Sequence, residues 1–365
     1  MQKTILTLLS ALLLSPALPA RADQSNGARA GISLRAFQKF GANPRTVGLA
    51  VVSPNGQQII ATDDPPFTLK RKGITRRIWV IDLDTDLKLK SAHSIDLAVP
   101  DIEQTTYTPD GKTLLFITRR GAELYRVDLG TGKQTRMMGH QKGSPGLRLD
   151  PPVMSSYNGK MYCHAFAYDG NDVASPAQLF EVDPMGLGTS AFTPVMNIES
   201  LERSVKNLDI EVALCPQGAF FGHRVGNNDV LDRWTPKGGM QNVDQGMRLT
   251  GAWGDGTHML YALRKPDGNN ELVLAEAMTG DRKVVASGAT AYYNPVLSKQ
   301  ATSFVVATAD KASHSITVYL AQDTDGYALK PIFKRIPASV FRLSPDGQVI
   351  AVFTQLQGLM LTRLP

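Results

Sequence analysis

The chain has 365 residues, 42% of them hydrophobic and 20% charged, with a formal net charge of +6. That length gives room for a large core, and so mild a positive charge does not point to nucleic acid. The two cysteines lack metal-ligand spacing and do not make a zinc site, and nothing after the N-terminus supplies the run of about 18 apolar residues that a transmembrane helix needs.

In chain order, residues 1–22 read as a leader rather than as part of the fold. Lys3 is the positive start, Ile5–Leu18 the apolar stretch, and Ala20-Arg21-Ala22 the small-residue cleavage signal, so cleavage is expected before Asp23. An uncleaved anchor is the alternative, and the lack of cysteine at the cut argues against a lipid anchor. Loss of Lys3 and Arg21 leaves a charge of about +4 on residues 23–365. The expected address is periplasmic, with secretion as the alternative.

A turn then recurs along the chain. Ser53-Pro54-Asn55-Gly56, Thr108-Pro109-Asp110-Gly111 and Ser344-Pro345-Asp346-Gly347 each precede a short apolar run, Gln58–Thr62, Thr113–Thr118 and Val349–Thr354. Proline presets the first corner, Asn or Asp accepts a local hydrogen bond, and glycine takes the left-handed position, so each copy predicts a hairpin. Weaker copies stand at Tyr157-Asn158-Gly159, Cys215-Pro216-Gln217-Gly218, Trp253-Gly254-Asp255-Gly256 and Leu297-Ser298-Lys299-Gln300. Together they make seven units at intervals of roughly 38 to 59 residues, the spacing of blade repeats.

A third strand follows in each of several units, as Ile78–Leu83, Leu124–Leu129, Leu179–Asp183, Leu272–Ala277 and Ile316–Ala321. Fourth strands follow at Lys133–Met138 and Lys283–Ala286. Four strands per unit is the make-up of a propeller blade. The last unit stops at Pro365 without a fourth strand, and Ile32–Phe40 is expected to supply it, which would close the ring and hide its edges. The expected fold is therefore all-β: one β-propeller domain over residues 23–365, with about seven four-stranded blades closed by the N-terminal strand. Six blades is the alternative, because the unit at Ser298 is weak.

The succession of Ser-Pro-Asp-Gly, apolar run, "LYRVDL" or "IWVIDL" and small turn resembles the TolB-like, WD40-like propeller repeat of exported bacterial proteins. The same repeat builds the propeller of prolyl-oligopeptidase-type peptidases. The units at Ser53, Thr108 and Ser344 carry the resemblance, and the middle third departs from it. It implies a periplasmic scaffold that binds proteins. About 25 residues lie between the expected cleavage and the first repeat, too few for the separate N-terminal α/β domain of TolB.

Catalytic motifs are missing. No Gly-x-Ser-x-Gly elbow, haem-attachment motif or phosphate-binding loop occurs, and no cofactor is expected. Cys163 and Cys215 fall in strand-like runs of adjacent units, which leaves a disulfide and two buried thiols both open. His164, His223 and His258 lie in or beside second strands, which do not line the axis, so surface or core roles are expected over a metal. Asp323-Thr324-Asp325-Gly326 opens like a calcium loop, but its twelfth position is Lys334, and a hairpin turn is expected.

The connections between second and third strands are the remaining signal. That of the first unit, Asp63–Arg77, is the longest and holds Lys70, Arg71, Lys72, Arg76 and Arg77, with Phe67 displayed beside Pro65-Pro66. Arg119-Arg120, Arg224, Arg264-Lys265 and Lys311 take the same place in later units. One basic face would attract a protein or an anionic envelope component, and ordinary solvation of hairpin tips is the plainer account. Phe67, Lys70, Arg71, Lys72, Arg76, Arg77, Arg119 and Arg120 are thus the expected partner-binding residues of a non-catalytic scaffold. The competing expectation is a lactonase-like, metal-dependent propeller hydrolase, with Glu103, Asp209 and Glu211 as channel candidates.

Overall fold

The computed structural model describes residues 29–364 apart from 34, 37–46, 64–75, 98–101, 119–122, 140, 158, 175–177, 198–212, 216–217, 236, 255–257, 277–278, 299–300, 311, 314, 338–339 and 355–357. Its strands form seven four-stranded antiparallel sheets, each a blade. Strand β1 (Arg29–Ile32) stands apart from the rest in sequence. Blade one is β2 (Val47–Val52), β3 (Gln58–Asp63), β4 (Arg76–Leu83) and β5 (Leu89–Leu97). Blade two is β6 (Ile102–Tyr107), β7 (Thr113–Thr118), β8 (Glu123–Asp128) and β9 (Gln134–Gly139). Blade three is β10 (Gly146–Tyr157), β11 (Lys160–Tyr168), β12 (Gln178–Val182) and β13 (Phe192–Asn197).

Blade four is β14 (Ala213–Cys215), β15 (Gly218–Val225), β16 (Asn228–Thr235) and β17 (Gly239–Gly246). Blade five is β18 (Arg248–Gly254), β19 (His258–Arg264), β20 (Asn270–Glu276) and β21 (Arg282–Gly288). Blade six is β22 (Tyr292–Leu297), β23 (Ser303–Asp310), β24 (Ser315–Gln322) and β25 (Lys330–Pro337). Blade seven is β26 (Val340–Leu343), β27 (Val349–Thr354) and β28 (Gly358–Arg363), with β1 as its fourth strand. The alternative of six blades is set aside.

In blades one, two, six and seven the recurring turn has one geometry. In blade one the Ser53 hydroxyl donates to Asn55 Oδ1 at 2.8 Å and accepts from Gln58 N–H at 2.9 Å, while Gly56 N–H bonds to the Ser53 carbonyl at 3.0 Å. Thr108 and Asp110 repeat this in blade two, and Ser344 and Asp346 in blade seven. The weak unit in blade six obeys it too. Ser303 N–H donates to Ser298 Oγ at 2.9 Å, and Ala301 occupies the left-handed slot at φ +54° in place of glycine.

These turns also lock neighbouring blades. A Cβ on Gly56 would lie 2.6 Å from Val349 Cγ2 in blade seven, and one on Gly347 would lie 2.5 Å from Ser303 Oγ in blade six. Gly111 of blade two has more room, with Pro54 Cδ of blade one at 3.4 Å. The contact of Gly56 with Val349 joins the first full blade to the last and closes the ring.

Second strands are buried on both sides, because blades pack face to face. β7 and β27 are buried at every position, which is why they read as continuous apolar runs. Each described apolar cluster spans two blades: Ile59, Trp79 and Ile81 with Val349 and Leu361, or Leu115 and Ile117 with Leu147 and Cys163.

Closure of the ring follows the expected logic with a different segment. Arg29–Ile32 pairs with β28, from Arg29 opposite Thr362 to Ile32 opposite Leu359, whereas the segment expected was Ile32–Phe40. Ile32 is the apolar anchor, buried with Leu359 and Leu361. A turn from the Ser33 carbonyl to Ala36 N–H then ends the strand.

Irregularities occur at both edges of the blades, and register shifts also separate third from fourth strands in blades one to six. Register shifts interrupt the inner strands of blades one, two, three, five and six, the largest between Leu149 and Met154, where Pro151 and Pro152 have no N–H to give to a ladder.

Gly347→Ala is expected to destabilise the chain by about 3 kcal/mol, combining a left-handed backbone with overpacking against Ser298 and Ser303. Gly111→Ala is expected to cost only about 1 kcal/mol, the backbone share alone. Thermal or urea unfolding of both variants checks the ranking.

Candidate interaction face

Every blade runs its strands in the same up-and-down order, which sorts the connections onto two faces. The tight turns between first and second strands make one face. The described connections from second to third strand, and from one blade to the next, emerge on the other. A hydrogen bond ties these two kinds of connection together: Gly143 N–H, between blades two and three, donates to Asp172 Oδ1, between β11 and β12, at 2.8 Å.

Of the residues expected to bind a partner, Phe67, Lys70, Arg71, Lys72, Arg119 and Arg120 lie outside the described residues, as does Lys311. Arg76 and Arg77 begin strand β4, so the first connection itself spans 64–75. Arg77 stands opposite Asp96 of β5 and is engaged by it, its guanidinium donating to Asp96 Oδ2 at 3.1 Å and lying 5.7 Å from the centre of the Trp79 ring. The hydrogen bond from Arg77 holds the Asp96 carboxyl below its ordinary range. Part of Arg77's charge is therefore neutralised across its own sheet.

The connection that holds Arg119 and Arg120 rises from a polar stem. Glu123 is buried at its base, with the Tyr125 hydroxyl at 3.3 Å and Arg136 Nη2 at 3.4 Å. Further round the rim, Arg224 and Arg264 are exposed.

Lys265 differs from its neighbours in the repeat, because it is turned into the seam between blades four and five. There Asp244 of β17 is only 5% exposed. Its Oδ1 accepts from Lys265 Nζ at 2.6 Å, and its Oδ2 accepts from the Tyr261 hydroxyl at 2.9 Å and lies 2.8 Å from Arg282 Nη1. Lys265 also lies 3.4 Å from Glu271 Oε2.

Burial works against the Asp244 charge. Hydrogen bonds from Lys265 and Tyr261, with the positive charges of Lys265 and Arg282, outweigh it and hold the carboxyl below its usual range. Burial and the Asp244 charge together push the Tyr261 hydroxyl up. Four strands converge here from two blades, and a sequence pattern that reads one hairpin at a time carries no sign of it.

Among the described residues no group of three or more His, Cys, Asp or Glu side chains could hold a metal. Glu103 is the extra residue at the β6 register shift, whereas Asp209 and Glu211 lie outside the described residues. Cys163 is a free, buried thiol, and burial pushes its ionisation far up. Asp323–Asp325 forms a short helical turn ended by left-handed Gly326 between β24 and β25, the expected hairpin connection. No helix among the described residues is long and apolar enough to cross a membrane.

No family model matches the chain, and no curated protein matches it. Solved structures do. Oligogalacturonate lyase from Vibrio parahaemolyticus aligns over 88% of this chain and 92% of its own, at 10% identity and a TM-score of 0.58. An oligogalacturonate lyase in complex with manganese aligns over 95% and 97%, at 14% identity and 0.56. TolB from Acinetobacter baumannii aligns over 90% and 66%, at 14% identity and 0.42.

The chain is a seven-bladed β-propeller. At these identities the likeness is one of fold, and chemistry has to be argued from this chain's own residues.

Asp244→Ala is expected to cost about 3 kcal/mol, since it takes the shared carboxylate from Arg282 and leaves Lys265 with Glu271 alone. The native contribution has a definite pH dependence. A carboxyl whose folded pKa is depressed stabilises fully above its unfolded value, about 3.9, and loses that stabilisation as pH falls through the lower folded value. Melting the parent and Asp244→Asn side by side should show their difference shrinking on acidification below about pH 4.

Proposed function

We propose that the chain is exported through a leader at residues 1–22 and serves as a non-catalytic propeller platform in the periplasm. Its partner is a protein or an anionic component of the envelope, held on the face formed by the second-to-third-strand connections. One observation carries this reading: second and third strands follow the same order in every blade, so the described strand ends from which these connections leave share a face. The longest of them holds Lys70, Arg71 and Lys72, and a rim of like charge draws an anionic partner in and orients it. Loops on a rigid scaffold are also where binding residues concentrate.

Two measurements test it. N-terminal sequencing of the exported protein is expected to begin at Asp23, and a retained leader would remove the periplasmic address. Purification of the tagged chain from its native periplasm, with quantitative mass spectrometry, is expected to recover a partner that is lost when Lys70, Arg71 and Lys72 are changed to Glu. A partner set indifferent to that change would sink the charged platform. A tightly held stoichiometric divalent ion in the same preparation would favour a hydrolase.

A further inference from the structure

The rim of the connection face changes character at the seam between blades four and five. Arg224 and Val225 end β15 at its hairpin with β16, and Val225 is 57% exposed. Met247 is the single residue between β17 and β18 and is 49% exposed. Arg248 opens β18 directly opposite Arg264 at the end of β19, and both are exposed.

Hydrogen bonds and pairing hold these five positions in one patch. Asp229 faces Arg224 across the hairpin and Gly246 on its other side, and its Oδ2 accepts from Leu249 N–H at 2.7 Å. Met247 N–H donates to the Arg264 carbonyl at 2.8 Å.

The patch is built against its own stability. Like charges directly opposite each other on neighbouring strands repel, and neither Arg248 nor Arg264 has an ion-pair partner among the described residues. Arg224 keeps only a long contact with Asp229, at 3.9 Å. Lys265 and Arg282, on the same blade as Arg248 and Arg264, are held by the buried Asp244, so the cations of this seam divide into an inner pair already satisfied and an outer set that is not. Exposed Val225 and Met247 add apolar surface beside the outer set.

We propose that Arg224, Val225, Met247, Arg248 and Arg264 hold an extended acidic segment of a partner protein. Its carboxylates sit on the guanidinium forks, which match carboxylate geometry two bonds at a time. One of its apolar side chains lies against Val225 and Met247. This deepens the platform reading, and rests on it, by giving the partner its chemistry.

A narrow strand suits the patch better than an anionic membrane does. The same face exposes Asp169 between β11 and β12, and Asp267 between β19 and β20. A flat anionic sheet laid on the rim would meet those carboxylates, whereas a strand along the seam follows the three arginines, where Asp229 is already engaged by Leu249 N–H.

The test uses the mature chain and a short fluorescein-labelled peptide alternating glutamate and leucine, followed by anisotropy. Glutamate–serine and lysine–leucine peptides and phosphatidylglycerol vesicles run beside it. The glutamate–leucine peptide is expected to bind most tightly, and less so as salt rises. Arg264→Glu is expected to weaken it about tenfold while the Tm holds or rises, because Arg248 then gains a partner. Met247→Ser is expected to weaken only the leucine-containing peptide, about threefold.

Unchanged affinity in a folded Arg264→Glu variant, or vesicle binding without peptide binding, would overturn the proposal. Peptide binding lost on reversal of Lys70, Arg71 and Lys72 but kept in Arg264→Glu would overturn this patch and leave the platform standing. A parent chain that ignores the peptide also overturns the patch, and the periplasmic purification then decides the platform separately.

Discussion

Glycine at the fourth position of each strong repeat turn is the constraint on which the ring depends. A hairpin needs a left-handed residue there, and glycine meets that need without steric cost. At Gly56 and Gly347 a second requirement is superimposed, because the neighbouring blade lies where a Cβ would stand. The turn therefore closes its own hairpin and sets the distance to the next blade in one residue. Its Ser or Thr hydroxyl fixes the rest, donating to the Asn or Asp and accepting the N–H five residues on. Where Ala301 replaces glycine in blade six the turn keeps its hydrogen bonds, and Ala301 takes φ +54° at a backbone cost that glycine avoids.

The described seams between blades are not alike. Most are apolar: Phe304 and Leu272 between blades five and six, Phe116 and Ile60 between one and two. The seam between blades four and five adds a buried carboxylate shared by Lys265, Arg282 and Tyr261 to its apolar contacts. Such a network is satisfied in full only when both blades are docked, so it ties stability to their geometry more tightly than apolar contact does. Its outer rim carries arginines with no such carboxylate between them, and charge is thereby presented to solvent beside a rigid seam.

Repeats made the architecture readable. The turns at Ser53, Thr108 and Ser344, the apolar second strands and the third strands at Ile78, Leu124 and Ile316 correspond to observed elements, because each depends on residues close in sequence. Closure by an N-terminal strand was legible as a need, since an open array would leave edges. The segment that meets it was not: Arg29–Ile32 has one strong apolar residue and no alternation, and its strand exists only because β28 offers an edge and a pocket for Ile32. Arg76 and Arg77 read as loop by charge alone, yet pairing with β5 and the carboxylate of Asp96 draw Arg77 into the sheet.

Turn chemistry and two-sided burial are local properties, so the blade, its hairpins and the blade number could be read along the chain. Tertiary structure alone decided which cations are free to act. Arg264 and Lys265 are adjacent in the chain and alike in charge, but Lys265 is turned into a seam against Asp244 from another blade, and Arg264 is left at the rim opposite Arg248. A carboxylate brought in from a neighbouring blade sets that difference, and no reading along a single hairpin contains it.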